Sequence, residues 1–245
     1  TICSSGRCPN ISECWSRRTA TFMIGGDICT RSCRFCATSS GRPKELDMSE
    51  PLKVARAIRI LGLHHAVITS VDRDDLEDGG AGHWVRTVEA VRREAPETTL
   101  ELLIPDFDAR EELLRMIVES GADIVGHNIE TVERLTPSSR SRATYRGSLE
   151  VLRMLGEMGA QTKSGLMLGL GESEKEVERT LEDLYEVGVR RATIGQYLQP
   201  TAKHLSVERY VTPEEFERYA TRAREIGYTH IFSAPLVRSS YMAEL

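Results

Sequence analysis

All six cysteines of the 245-residue chain fall between Cys3 and Cys36. They form two triplets: Cys3, Cys8 and Cys14 with C-x4-C-x5-C spacing, and Cys29, Cys33 and Cys36 with C-x3-C-x2-C spacing. Thiols this close together serve disulfides, zinc or iron–sulfur clusters. Disulfide pairing would leave an odd thiol in each triplet and needs an oxidising compartment. The opening stretch from Thr1 to Cys14 is polar and does not read as an export signal. Structural zinc takes four ligands, commonly as paired C-x2-C knuckles, and neither triplet has a neighbouring His or a fourth Cys at such spacing. A [4Fe–4S] cube is held by thiolates, normally four. Three would leave one iron open to a reactant. The iron–sulfur reading is favoured, with zinc and disulfides as its rivals.

The elements that must position these thiols follow from the hydropathy pattern. Strand-like runs at 21–26, 65–70, 99–104, 123–128, 161–168 and 192–197 alternate with helix-period segments. Their spacing suits a strand, a crossover helix and short loops. The helices carry explicit ends. Ser49 opens one that Gly62 closes, and Asp108 with Glu111 forms a D-x-x-E start for one that Gly121 stops. Ser173 with Glu176 and Thr212 with Glu215 form capping boxes, the second with Pro213 in its first turn and Gly227 at its end. A further helix is expected over 148–158, with Gly156 inside it at a cost of ~1 kcal/mol. The alternation predicts an α/β fold with a parallel sheet; pattern alone does not decide between a closed barrel and an open sheet. Either architecture places functional loops after the carboxyl ends of the strands. Polar and unusual residues collect there, at 29–36, 69–75, 105–106, 128–130, 169–172 and 196–200.

The loop Cys29-Thr-Arg-Ser-Cys33-Arg-Phe35-Cys36 resembles the signature of the radical S-adenosylmethionine (SAM) enzymes, including the aromatic residue before the last cysteine. The resemblance implies a [4Fe–4S] cluster on Cys29, Cys33 and Cys36. Its open iron chelates the amino and carboxylate groups of SAM, and one electron from it cleaves the sulfonium to a 5'-deoxyadenosyl radical. It also implies a full or partial barrel. The expected architecture is a partial (β/α)6 TIM-type barrel over 21–228, flanked by an N-terminal segment, 1–20, and a C-terminal segment, 229–245. The run Gly165-Leu-Met-Leu-Gly169-Leu-Gly171-Glu172 resembles the family's cofactor-contact motif. Glycine there lets the backbone approach an adenosine closely.

Further motifs narrow the resemblance to the lipoyl synthases, over essentially the whole chain. They are the first cysteine triplet, Val71-Asp-Arg-Asp-Asp75 with Gly79-Gly80-Ala81, and Pro105-Asp106-Phe107. After them come His127-Asn-Ile-Glu-Thr131, Thr162-Lys-Ser-Gly165, Ile194-Gly-Gln-Tyr-Leu-Gln-Pro200 and the C-terminal Arg238-Ser239-Ser240-Tyr241. The resemblance implies insertion of two sulfur atoms, at C6 and C8 of an octanoyl chain amide-linked to a lysine of a lipoyl carrier domain. The sulfur comes from an auxiliary [4Fe–4S] cluster on Cys3, Cys8, Cys14 and Ser240, held jointly by the two terminal segments. Arg238 would orient the tail or offset cluster charge. Phe35 would pack on the adenine, and Thr69, Ser70, Asn128, Glu130, Lys163, Ser164, Glu172 and Gln199 are the expected cofactor contacts. Two departures stand out: Asp108-Ala109 follows Phe107 where the family usually has a glycine nearby, and Ser233-Ala234-Pro235 replaces a common Gly-Pro. The implied partners are octanoylated carrier domains (2-oxoacid dehydrogenase acyltransferase subunits, glycine-cleavage H protein), a flavodoxin or ferredoxin as electron donor, and a cluster-assembly carrier. The alternatives are a biotin-synthase-like sulfur inserter and a non-catalytic zinc module.

Composition agrees with such an enzyme. The net charge is -5 and the pI about 5.8, and with no stripe of basic and aromatic residues this argues against nucleic acid. No apolar run approaches the ~18 residues of a membrane span. The expected compartment is the cytoplasm, or an organelle if a transit peptide has been removed. Charge is uneven: Arg7, Arg17, Arg18, Arg31, Arg34, Arg42 and Lys44 stand against Glu13 and Asp27 in residues 1–44, a net +5. These cations either offset thiolate charge or form a face for an acidic partner.

Overall fold

Residues 18–238 are described by a computed structural model of the chain. Its strands are β1 (Thr19–Ile24), β2 (Ile28–Cys29), β3 (Ser39–Ser40), β4 (His65–Ser70), β5 (Thr99–Leu103), β6 (Ile124–Gly126), β7 (Thr162–Leu168), β8 (Arg191–Gln196) and β9 (His230–Ser233). Its α-helices are α1 (Glu50–Leu61), α2 (Ala81–Glu94), α3 (Glu111–Glu119), the one-turn α4 (Thr136–Ser139), α5 (Tyr145–Glu157), α6 (Glu174–Glu186) and α7 (Pro213–Ile226). The main sheet runs β1-β4-β5-β6-β7-β8-β9, with every neighbouring pair parallel. Among the described residues β1 and β9 are both edges of the sheet, which is an open, partial barrel. β2 and β3 pair separately, inside the loop that carries the second cysteine triplet.

All six predicted strands are present. The seventh, β9, falls in the stretch assigned from sequence to the C-terminal segment, so the sheet continues to Ser233. Its four residues are half-buried and show no alternation. Pairing of His230 to Ser233 with β8 is what defines it. Helix ends mostly follow the expected punctuation. Gly62 closes α1 at φ 59° and Gly227 closes α7 at φ 119°. In the α7 box, Thr212 Oγ1 accepts from Glu215 N–H at 3.3 Å and Glu215 accepts from Thr212 N–H at 3.1 Å. Glu176 accepts from Ser173 N–H at 2.9 Å at the start of α6.

Three ends differ from expectation. Ser49 makes no side-chain cap on α1; the Asp47 carboxylate instead accepts from its N–H at 2.8 Å. α5 starts at Tyr145 because Thr144 caps it, accepting from Gly147 N–H at 3.0 Å. Asp108 does not cap α3, since Phe107, Asp108 and Ala109 form a left-handed turn with φ of 46°, 51° and 53°. Asp106 forces that course: its carboxylate accepts from Asp108 N–H at 3.2 Å while holding Arg31.

Strand alternation divides the side chains between two faces. Phe22, Ile68 and Leu102 pack with Ile58, Trp84 and Ile117 from α1–α3, while Leu168 and Ile194 pack with Leu181 and Phe216 from α6 and α7. The opposite parity faces the barrel interior and is unusually polar. Glu101 and Lys163 are 2% and 7% exposed and pair at 2.8 Å, with His65 Nε2 3.5 Å from Glu101. Among the described residues, no helix is long and apolar enough to cross a membrane.

Candidate active site

The cysteine loop leaves β1 and is tied down by the ends of successive strands. Thr30 N–H donates to Asp72 O at 3.1 Å, after β4. Ser32 N–H donates to Ser141 Oγ at 3.2 Å and Arg34 N–H to Ser139 O at 2.8 Å, after β6. Leu205 N–H donates to Arg34 O at 3.0 Å, and His204 Nε2 lies 2.9 Å from Cys36 O, after β8. Arg31 ties the loop to β4 and β5 at once. Its guanidinium, with a side chain only 5% exposed, donates to both Asp74 oxygens at 2.8 and 2.9 Å and to both Asp106 oxygens at 2.8 Å. Five donors in a planar fork suit two bidentate carboxylates. Arg31 is therefore not a free counter-charge for the thiolates, whereas Arg34, Arg42 and Lys44 are exposed.

The three thiols are free: Cys29 is buried, Cys33 and Cys36 half-buried. Cys29 Sγ accepts from the N–H groups of Arg31 and Asp72, each at 3.4 Å. Burial pushes its thiol up to about 11, with those two N–H bonds opposing and the Asp72 carboxylate reinforcing the rise. Iron must therefore displace a firmly held proton.

A cavity of about 280 Å³ lies beside this loop. Phe35 and Ala37 wall it from the loop, Asn128 and Glu130 from the end of β6, Gly165 and Met167 from β7, and Thr193, Gly195, Tyr197 and Leu198 from β8 and its extension. Val237 and Arg238 close it from the C-terminal side. Gly195 makes that closure feasible, because a Cβ there would collide with the Val237 carbonyl oxygen. Glu130 adopts φ 69°, locked by its N–H to Gly165 O at 3.0 Å and by Met167 N–H to its carbonyl at 2.9 Å. Burial pushes its carboxyl up, partly opposed by the Arg140 charge and by Asn128.

Phe35, Asn128, Glu130 and Arg238 thus meet around one cavity. The other expected contacts lie elsewhere. Lys163, two residues before Gly165 on the same strand, pairs with Glu101. Ser164 Oγ donates to His127 O at 2.9 Å and accepts from Ile129 N–H at 3.1 Å on the helix side. Glu172 accepts from the N–H groups of Gly169 and Leu170 at 2.6 and 2.9 Å, and so holds the Gly-rich turn. Thr69 donates to Leu103 O at 3.2 Å, while Ser70 Oγ is buried with no partner among the described residues. Gln199 is exposed and donates to His204 O at 3.0 Å. Cys3, Cys8, Cys14 and Ser240 lie outside the described residues. Sequence reasoning counted Arg31 among the cations for the thiolates or an acidic partner and Asp106 within a motif, without pairing them, and gave no role to His204. The available signal was their position beside the cysteines or at strand ends.

An open parallel barrel with three free thiols on its first loop, beside a cavity at the carboxyl ends of the strands, is built for a cofactor-dependent enzyme. The sequence profile of the radical SAM superfamily matches residues 23–184. The lipoyl synthase of Bacteroides thetaiotaomicron is 56% identical over 244 residues, covering 100% of this chain and 86% of the relative. That of Porphyromonas gingivalis is 58% identical over 245 residues, covering 100% and 87%. Among solved structures, Streptococcus suis SuiB bound to S-adenosylmethionine aligns with TM-score 0.70 at 9% identity, over 96% of this chain and 56% of that one. Methylornithine synthase (PylB) aligns with TM-score 0.60 at 15% identity, over 92% and 76%. These two show the shared fold.

The chain belongs to the lipoyl synthase family of the radical SAM superfamily. It is a radical SAM sulfur-inserting enzyme whose family uses SAM and [4Fe–4S] clusters and acts on lipoyl-domain proteins. The second triplet fits a cluster. Two backbone N–H groups aimed at Cys29 Sγ are what an iron-bound thiolate needs. Among the described residues no three His, Cys, Asp or Glu side chains converge as a single ion would require. A cube instead holds each thiolate on a different iron.

Proposed function

We propose that the chain inserts sulfur at C6 and C8 of an octanoyl chain carried on a lysine of a lipoyl carrier domain, drawing the sulfur from an auxiliary cluster on Cys3, Cys8, Cys14 and Ser240. One observation supports this beyond family membership. Arg238, which opens the Arg-Ser-Ser-Tyr motif, lines the same cavity as Phe35 of the radical loop. That the described chain runs along this cavity as far as Arg238 supports the reading.

When bound, SAM and the cluster on Cys29, Cys33 and Cys36 supply the one-electron chemistry that removes hydrogen from an unactivated carbon. The chain's own residues prepare that site. The N–H groups of Arg31 and Asp72 orient the Cys29 sulfur. Phe35 and Met167 offer apolar surface to an adenine, and Asn128 and Glu130 offer polar groups to the ribose or amino-acid end. Arg140 holds the Asn128 backbone, donating to its carbonyl at 3.3 Å. The Gly169–Glu172 turn, just beyond β7, is held in shape by two N–H bonds to the Glu172 carboxylate.

Exposed Arg34, Arg42 and Lys44 around the loop suit an acidic electron carrier such as a flavodoxin or ferredoxin. The carriers are the acyltransferase subunits of 2-oxoacid dehydrogenases or the glycine-cleavage H protein, a cluster-assembly carrier restores the consumed cluster, and the compartment is the cytoplasm. The testing variant is Ser240→Ala. The unaltered chain should take up roughly eight iron atoms, two four-iron cubes. Ser240→Ala should still form 5'-deoxyadenosine while sulfur insertion falls. Normal turnover by Ser240→Ala removes it from the ligand set, and zinc without acid-labile sulfide in the unaltered chain contradicts the cluster reading.

A further inference from the structure

We infer that the aspartates gathered around Arg31 tune the reduction potential of the cluster at Cys29, Cys33 and Cys36, holding it low. This rests on those three cysteines being the ligands of that cluster. Asp72 Oδ2 lies 3.5 Å from Cys29 Sγ, and its other oxygen lies 3.4 Å from Arg31 Nε. Beyond it, Asp74 and Asp106 each take two bonds from the same guanidinium. Asp108 lies 3.7 Å from Arg31 but has its own cation, Arg142, at 2.7 Å.

Four carboxylates, Asp72, Asp74, Asp106 and Asp108, therefore face two guanidinium groups, Arg31 and Arg142, the second of which also lies 3.8 Å from Asp74, while the neighbouring buried Arg73 is paired with Asp75. Leaving Asp72 aside, Asp74 and Asp106 are two carboxylates on one guanidinium and leave an excess of negative charge. Burial acts against Asp106, yet its bonds and charge pairing with Arg31 outweigh this and hold it at about 2. An electron added to the cluster meets that excess at short range, from the buried Asp106 and the largely covered side chains of Asp72 and Asp74, which makes reduction harder. A network serving only to staple the loop would also explain the geometry, but it predicts nothing about the sign of a potential. The electrostatic role predicts opposite signs for removing an anion and removing the cation.

The test uses the full chain, reconstituted anaerobically, and follows by redox titration the electron paramagnetic resonance signal that changes when SAM is added. Asp74→Asn and Asp106→Asn should each shift its midpoint to more positive potential. Arg31→Gln should shift it to more negative potential in the fraction that carries the cluster. An unchanged midpoint in both aspartate variants, or a shift of the same sign in all three, overturns the inference. So does an Asp74→Asn chain that stays folded but takes up no iron at this site, because the network is then a scaffold. Absence of any SAM-responsive signal from the unaltered chain is instead the failure of the ligand assignment, and is read before the variants.

Discussion

The Lys163 ammonium group lies 2.8 Å from Glu101, with both side chains in the barrel interior. Removing one partner of a buried pair leaves the other charge uncompensated. Lys163→Met should therefore lower unfolding free energy by about 3–5 kcal/mol, while adding Glu101→Leu should restore most of the loss. Denaturant unfolding of single and double variants reads this, and additive losses would contradict it. His127 offers a pH test. Burial, reinforced by the Arg140 charge, depresses it from 6.5 to about 4, with Nδ1 3.0 Å from Ile104 O and Nε2 2.9 Å from Ser148 Oγ. The folded state thus holds this proton less tightly than the unfolded state. Its effect on stability is absent above about 6.5 and grows as pH falls toward 4, reaching a loss of about 3 kcal/mol. His127→Gln should flatten stability against pH over that window, and an unaltered slope would show that the ring is not the titrating group.

Two backbone segments have a comparable influence. Gly195 on β8 admits the Val237 carbonyl to a position a Cβ would occupy. Gly195→Ala should push residues 237–238 away from the cavity and lower sulfur insertion by roughly 10²-fold. Formation of 5'-deoxyadenosine should suffer much less, because Phe35, Asn128 and Glu130 keep their supports. Equal loss of both products would mean that Gly195 matters only for folding. The left-handed turn at Phe107, Asp108 and Ala109 is the second case. Side chains disfavour this region, so Ala109→Gly should stabilise the fold by about 0.5–1 kcal/mol. A thermal melt checks it, and destabilisation would place the turn's preference elsewhere. Sequence reading noted that a glycine is common nearby in the family, without the conformational reason for it.

How much of the molecule is legible in the chain depends on whether the determinant is local. The six β–α units and most helix ends are visible because period and capping residues are written within a dozen positions. β9 escapes because its four half-buried residues become a strand only through pairing with β8. The cysteine loop and its place after the first strand are legible from spacing and pattern. The Arg31 network is not, since its aspartates lie up to 75 residues away and meet only when β4 and β5 align. Likewise Lys163, an expected cofactor contact, sits beside Glu101 because strand parity turns both inward. What the whole molecule does is tested most directly by its product. The reconstituted chain is incubated anaerobically with SAM, a strong reductant and an octanoyl-lysyl carrier peptide, and the peptide is weighed by mass spectrometry. The expected result is 5'-deoxyadenosine together with a peptide carrying two added sulfur atoms at C6 and C8; 5'-deoxyadenosine with a sulfur-free peptide would contradict it.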